Sequence, residues 1–285
     1  MKRLIRWLRY PTLVLTVLLI VAGCANRVPS LAVPEGVIKR TPKLVLQGKE
    51  VPVDLYLPQN VETAPIVIVV HGFSRNRHVI AGWGHLLALN GMIAVVPNLP
   101  SLTDQRCNIR AIGELIALVH APGHLTHPAP NGEVALIGHS AGGFDTLIAA
   151  PGEKRVRCWI GLDPVDFGDH GLRAVKSLHI PGLMLLAESG AWNRHANALP
   201  WLQASANPLI ALRIKGSTHC DPENPTTALA KLVCGATDDA RRAVYERYAL
   251  AMLKQHLFGD AAAAAQMKGS SQDTAVSVLS SAKVE

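Results

Sequence analysis

The sequence predicts an α/β fold: a mainly parallel central sheet with helices on both faces and an antiparallel hairpin at its N-terminal end. Three observations carry this expectation. Short, continuously apolar runs rich in branched residues recur along the chain, such as PIVIVVHG from Pro65 and MIAVVPN from Met92. Such runs are the mark of strands buried on both faces. Segments of helical character separate them, and strand–helix alternation of this length implies parallel strands joined by crossover helices. Before the first run, LVLQGKEVPVDLYLP (44–58) alternates apolar and polar positions around Gly48-Lys49, as a half-buried hairpin does.

The elements follow in order. Residues 24–42 hold three prolines and a glycine after Cys24 and read as a tether. After the hairpin and the first buried strand, a helix is expected around Gly84–Leu89, stopping at Asn90-Gly91. The run from Met92 is the second buried strand, and Asn108–His120 is helical. EVALIGHS (133–140) is the third strand and Gly142–Ala150 its following helix. VRCWIGLD (156–163), GLMLLAES (182–189) and LIALRIKG (209–216) continue the sheet, and Asp238–Phe258 forms a long closing helix. The domain is thus expected over 43–260, with 261–285, rich in Ala and Ser, as a low-complexity, weakly structured tail.

Composition narrows the function. Hydrophobic residues make up 49% and charged ones 17% of the 285 residues, which suits a large buried core. The formal charge is +7, but Lys2, Arg3, Arg6 and Arg9 supply four of those charges and no acid lies in 1–23, leaving +3 for the rest. No basic run with interleaved aromatics remains, so nucleic acid is not an expected partner. The basic start followed by the apolar run Leu13–Ala22 is too short to span a bilayer and reads as a signal peptide. Its ending, IVAGC, resembles a bacterial lipobox, which implies lipidation of Cys24. The expected location is then the cell envelope, lipid-anchored, on the outer membrane facing periplasm or exterior, since Ala25 and not Asp follows the cysteine. A monomer is expected. Of the remaining Cys107, Cys158, Cys220 and Cys234, the last two lie across a Pro-rich loop and form the favoured disulfide for an exported chain.

The chemistry concentrates at Gly138-His139-Ser140-Ala141-Gly142, a G-x-S-x-G motif between an apolar strand and a helix. That setting presents a serine nucleophile on a tight turn, where flanking glycines avoid a clash. His71-Gly72-Phe73 ends the first central strand, so the backbone amides of Phe73 and Ala141 are the expected oxyanion donors; His71 itself reads as structural. His219, after the last strand in KGSTHCD, is the expected base, and the order serine, acid, histidine fits this architecture. Two acids compete: Glu188 after the fifth buried strand and Asp163 after the fourth. Phe73, Trp192 and Trp83 are the candidate pocket aromatics. His120, His124 and His127 cluster in sequence, but Pro122-Gly123 breaks the helix that would align them, and the cysteine spacings fit no zinc site. No metal or organic cofactor is expected.

Residues 62–258 resemble the chlorophyllase-like branch of the α/β-hydrolases, which is similar in turn to platelet-activating-factor acetylhydrolases. The resemblance rests on GHSAGG (138–143), GLDPVD (161–166), Trp192-Asn193 and GSTHCD (216–221). It implies an α/β-hydrolase fold and a serine hydrolase that cleaves carboxylic esters, apolar or lipid-like here. It also implies that the aspartate of the L-D-P motif, Asp163, is the acid.

Overall fold

A computed structural model describes residues 27–121 and 127–279. Within them ten strands join in one mixed, mostly parallel sheet. The strands are β1 Val37–Arg40, β2 Lys43–Leu46, β3 Lys49–Pro58, β4 Thr63–Val70, β5 Ile93–Pro97, β6 Ala129–His139, β7 Val156–Leu162, β8 Gly182–Leu186, β9 Leu209–Ile214 and β10 Val276–Leu279. Their order is β1-β3-β5-β4-β6-β7-β8-β9-β10, with β2 paired to β3 as the hairpin. The six strands β5-β4-β6-β7-β8-β9 run parallel, while β1, β3 and β10 add antiparallel edges. The segment expected to be a signal peptide and Cys24 lie outside the described residues; among those described, no helix is long and apolar enough to cross a membrane.

The helices are α1 Ala81–Leu89, α2 Gln105–His120, α3 Ala141–Ala149, α4 His170–Ala174, α5 Trp201–Ala204, α6 Ala228–Cys234, α7 Asp239–Phe258 and α8 Ala261–Lys268. They cover both faces, and this is why the central strands lack alternation in their sequence. Val67, Val69, Ala135 and Ile137 pack on one face with Trp83 and Leu87 of α1 and with Tyr245, Tyr248 and Met252 of α7. Ile66, Ile68, Val134 and Leu136 pack on the other with Ile112 and Leu115 of α2 and Leu147 of α3. At about 25 cal/mol per Å² of apolar surface removed from water, these two layers dominate the stabilisation. Local signals set the helix limits. The Asp104 and Asp238 side chains accept from the Cys107 and Arg241 amides at the starts of α2 and α7, and Gly259 closes α7 at φ 67°.

Two expectations need correction. The tether expected over 24–42 contains β1, which pairs with β3 through Val37↔Pro58 to Arg40↔Leu55. Flanking prolines hid it, and a short edge strand tolerates them because its outer amides need no ladder partner. The tail is also folded rather than weakly structured over its described residues, 261–279. Asp260 caps the alanine-rich α8 by accepting from the Ala262 and Ala263 amides, and β10 pairs with β9 from Val276↔Ile214 onward. Alanine favours helix once a cap is present, and four residues hold as a strand only on an existing edge.

Chain order places the site. From β4 the chain steps to β5 on one side, then returns past β4 to β6 on the other. The crossovers diverge there, opening a crevice beyond the carboxyl ends of β4 and β6, where ligands of open parallel sheets bind.

Candidate active site

Ser140 stands in this crevice between the end of β6 and the start of α3. Its backbone is held at φ 55°, ψ −119°, a conformation that L-residues rarely adopt and that aims the side chain out of the turn. Its amide donates to Leu162 O (3.0 Å) and its carbonyl accepts from Gly143 N and Val165 N (3.0 and 3.2 Å). The flanking glycines are steric requirements. A Cβ on Gly142 would stand 2.5 Å from His71 O and 2.6 Å from Val70 O, and one on Gly138 would overlap the Gly142 backbone.

The structure brings Ser140, His219 and Asp163 together from the ends of β6, β9 and β7. His219 Nε2 is 2.9 Å from Ser140 Oγ, and Nδ1 is 2.6 Å from Asp163 Oδ2. Asp163 is fully buried; its Oδ1 accepts from the Ala187 amide (2.9 Å), and Asn193 Nδ2 donates to Oδ2 at 3.1 Å. Burial lowers the His219 pKa, but the hydrogen bond and charge of Asp163 outweigh it and leave the imidazole above its ordinary 6.5. Glu188, the competing acid, points elsewhere. It is exposed, and its Oε1 accepts from Gly216 N (3.0 Å), tying β8 to the loop after β9.

Facing Ser140 is the turn after β4. A Cβ on Gly72 would lie 3.1 Å from Ser140 Cβ, so this turn packs directly on the serine. The amides of Phe73 and Ala141 have no hydrogen-bond partner among the described residues, and can therefore serve a ligand oxygen. His71 holds the turn from below: its Nδ1 pairs with Gly72 O (2.9 Å), and its Nε2 accepts from Leu99 N (3.2 Å). Burial pushes His71 down to about 4, which keeps it neutral.

A cavity of about 360 Å³ opens over Ser140, lined largely by apolar groups including Phe73, Val165, Phe167, Trp192, Leu229 and Val233. Phe73 and Trp192 are half-exposed at its rim, and Trp192 Nε1 donates to Val233 O (2.9 Å), pinning α6 beside the mouth. Trp83 does not belong to this cavity. It is fully buried in the core, with Nε1 donating to Pro222 O (2.8 Å). The expected Cys220–Cys234 disulfide is not formed: Cys107, Cys158, Cys220 and Cys234 are all free. Cys220 and Cys234 nonetheless meet at the cavity wall, and their contact shifts the first thiol up and the second down.

Four supporting residues, three of them within the motifs that carry the resemblance, were given no role of their own from sequence. Asn193 Oδ1 accepts from Gly190 N and Ala196 N, while its Nδ2 binds Asp163 and Glu188 O, so one buried amide shapes the loop beside the acid. Asp221 organises the His219 loop, accepting from Thr218 N (2.6 Å), Asp238 N (2.7 Å) and Arg241 Nε (2.7 Å). His139 Nε2 lies 2.8 Å from His219 O, and Glu223 is a buried carboxylate paired with Arg75. The available signal was the density of acids and amides in THCDPEN (218–224), unusual in a chain otherwise so apolar. Among the described residues, no three His, Cys, Asp or Glu side chains gather as a metal site. No protein-family model matches this sequence, and no curated protein matches it.

Proposed function

We propose that this protein is a serine hydrolase of the α/β-hydrolase fold that cleaves carboxylic esters, with Ser140 as nucleophile, His219 as base and Asp163 as the acid that orients it. One observation carries the reading: a single imidazole within hydrogen-bond distance of both a serine hydroxyl on a strained turn and a buried carboxylate. In the tautomer this requires, Nδ1–H donates to Asp163 and Nε2 accepts from Ser140. Ser140 Oγ attacks the ester carbonyl as Nε2 takes its proton. The tetrahedral oxyanion is met by the free Phe73 and Ala141 amides, such donors being worth about 3 kcal/mol each in the transition state. The imidazolium then gives its proton to the departing alkoxide, leaving an acyl-enzyme. A water molecule, deprotonated by His219, attacks that acyl group, and its collapse releases the acid and restores Ser140.

The apolar cavity and the aromatic rim of Phe73 and Trp192 support an apolar or lipid-like ester. The lipobox-like IVAGC supports an envelope lipoprotein anchored through Cys24. The test uses the chain from residue 25 onward, with Ser140→Ala, on p-nitrophenyl esters of graded acyl length. Hydrolysis by the wild type, lost in the variant, is the expected result. A folded wild type that cleaves none of them and does not react with a fluorophosphonate would remove the reading and leave a non-catalytic binding lipoprotein.

A further inference from the structure

Two backbone segments must keep a fixed separation for acyl transfer at Ser140: the turn after β4, which presents the Phe73 amide, and the loop after β9, which presents His219. They follow different strands, with β6, β7 and β8 between them in the sheet. Each carries one charged side chain directed at the other. Arg75, two residues after Phe73, donates through Nε to Glu223 Oε1 (2.7 Å) and through its terminal nitrogen to Glu223 Oε2, a two-pronged pair. Glu223 lies four residues after His219, is almost wholly buried and also accepts from Thr226 Oγ1. The Arg75 amide further donates to Gly72 O (3.2 Å), closing the turn that contains Phe73 and Ser74, the latter at φ 53°.

Between the two segments stands His139, the residue before the nucleophile. Its Nε2 meets the His219 carbonyl at 2.8 Å, and its ring lies 5.0 Å from the His219 ring at 38°. Its other nitrogen, Nδ1, is buried without a partner and faces both Glu223 (4.0 Å from Oε1) and Gly72, whose Cβ would come within 3.6 Å. Burial and the neighbouring His219 hold His139 down at about 4, so it fills this space as a neutral ring.

We propose that Arg75 and Glu223 form a strut that sets the oxyanion turn against the base loop, with His139 as the spacer between them, and that these three are positioning residues for the hydrolysis. The inference rests on the serine-hydrolase reading above. A buried ion pair has little claim as a stability device, since its desolvation cost offsets most of the attraction. A planar fork between two loops does, however, fix both distance and orientation, which a single apolar contact cannot. The strut also acts electrostatically. His219 is faced by Asp163 after β7, Ser140 and His139 around the end of β6, Cys234 of α6, and Cys220 and Glu223 of its own loop. Arg75 is the cation beside Glu223, so it balances one of the two carboxylates acting on the base.

The experiment compares wild type with Glu223→Gln, Arg75→Gln and the double variant, which leaves no unpaired charge and guards against misfolding. kcat and KM are measured on p-nitrophenyl butyrate across pH, with active sites counted by fluorophosphonate labelling. Each single variant is expected to lose about 10- to 100-fold in kcat per labelled site, the scale of a misplaced oxyanion donor, with KM changed less than about threefold. The acid limb of the profile should move to lower pH in Glu223→Gln, which loses a charge that favours the imidazolium, and to higher pH in Arg75→Gln, where that charge is no longer balanced. The double variant should regain the wild-type acid limb but not the wild-type kcat, since amides restore neutrality without the fork. Variants that keep kcat within threefold per labelled site, with the acid limb unmoved and only thermal stability lowered, would reduce the pair to a structural tie and overturn the proposal. That outcome is read against an active wild type; a wild type that cleaves no ester and takes no label removes the hydrolase reading and the strut's role together.

Discussion

Replacing Asp163 by Asn separates the two candidate acids and tests the geometry at its tightest contact. The carboxylate accepts from Ala187 N through Oδ1 and faces His219 Nδ1 through Oδ2, with Asn193 Nδ2 beside both oxygens. An asparagine amide has one acceptor oxygen and one donor nitrogen to fill these positions. If its NH2 took the Oδ1 position, two donors would oppose each other at Ala187. The oxygen therefore takes that place, and the NH2 faces His219 Nδ1 at 2.6 Å. Nδ1 must then be the acceptor, and the proton moves to Nε2, which can no longer receive the proton of Ser140 Oγ 2.9 Å away. A base held in the wrong tautomer costs about 10,000-fold in kcat, or roughly 5 kcal/mol of barrier. The buried amide left facing Asn193 Nδ2 should cost a further 1–3 kcal/mol of stability, about 2–4 °C in Tm for each kcal/mol. Glu188→Gln, at an exposed carboxylate, should stay within threefold of wild type. The assay is steady-state hydrolysis of p-nitrophenyl butyrate by folded protein, with Tm from circular dichroism. If Asp163→Asn keeps a tenth of the activity while Glu188→Gln loses a thousandfold, the reasoning is wrong and Glu188 is the acid.

Four further outcomes are expected from the same structure. Ser140→Gly should be more stable than Ser140→Ala by about 1 kcal/mol, because glycine adopts φ 55° without strain; both should be inactive, and equal Tm values would argue against a strained turn. The acid limb of kcat/KM should lie above pH 6.5, because Asp163 favours the protonated His219 that cannot act as base; a limb well below 6.5 would contradict this. His71 and His139 work in the opposite direction on stability: both are held near 4 when folded and titrate near 6.5 when unfolded, so their contribution is complete above 6.5 and is lost as pH falls toward 4. Between pH 7 and pH 5 each should cost about 2 kcal/mol, partly offset by His219 and by Asp145, whose carboxyl burial pushes up to about 8, and urea unfolding at the two pH values, in wild type and in Asp145→Asn, checks it. Finally, Trp192→Ala should change the preference for acyl length, whereas Trp83→Phe should leave it unchanged and lower Tm, as a core residue would.

The sequence by itself determined the strand–helix alternation, because strands covered on both faces must be apolar at every position, as Ile66–Val70 and Val134–Ile137 are. It also marked Ser140 and His219, because a nucleophile turn needs small neighbours immediately beside it and a base needs the loop after the last buried strand. Both signals are local, and local signals survive in one dimension. Only the tertiary structure shows which of the two carboxylates meets His219, Asp163 and not Glu188, since each follows a strand and their difference lies in what surrounds the carboxylate twenty or more residues away along the chain. It likewise moved Trp83 from pocket to core, turned the terminal alanine-rich segment into α8 and β10, and joined Arg75 to Glu223 across 148 positions. Those placements depend on which edges and cavities the rest of the chain leaves open, and burial at a distance leaves no periodic trace in the residues that receive it.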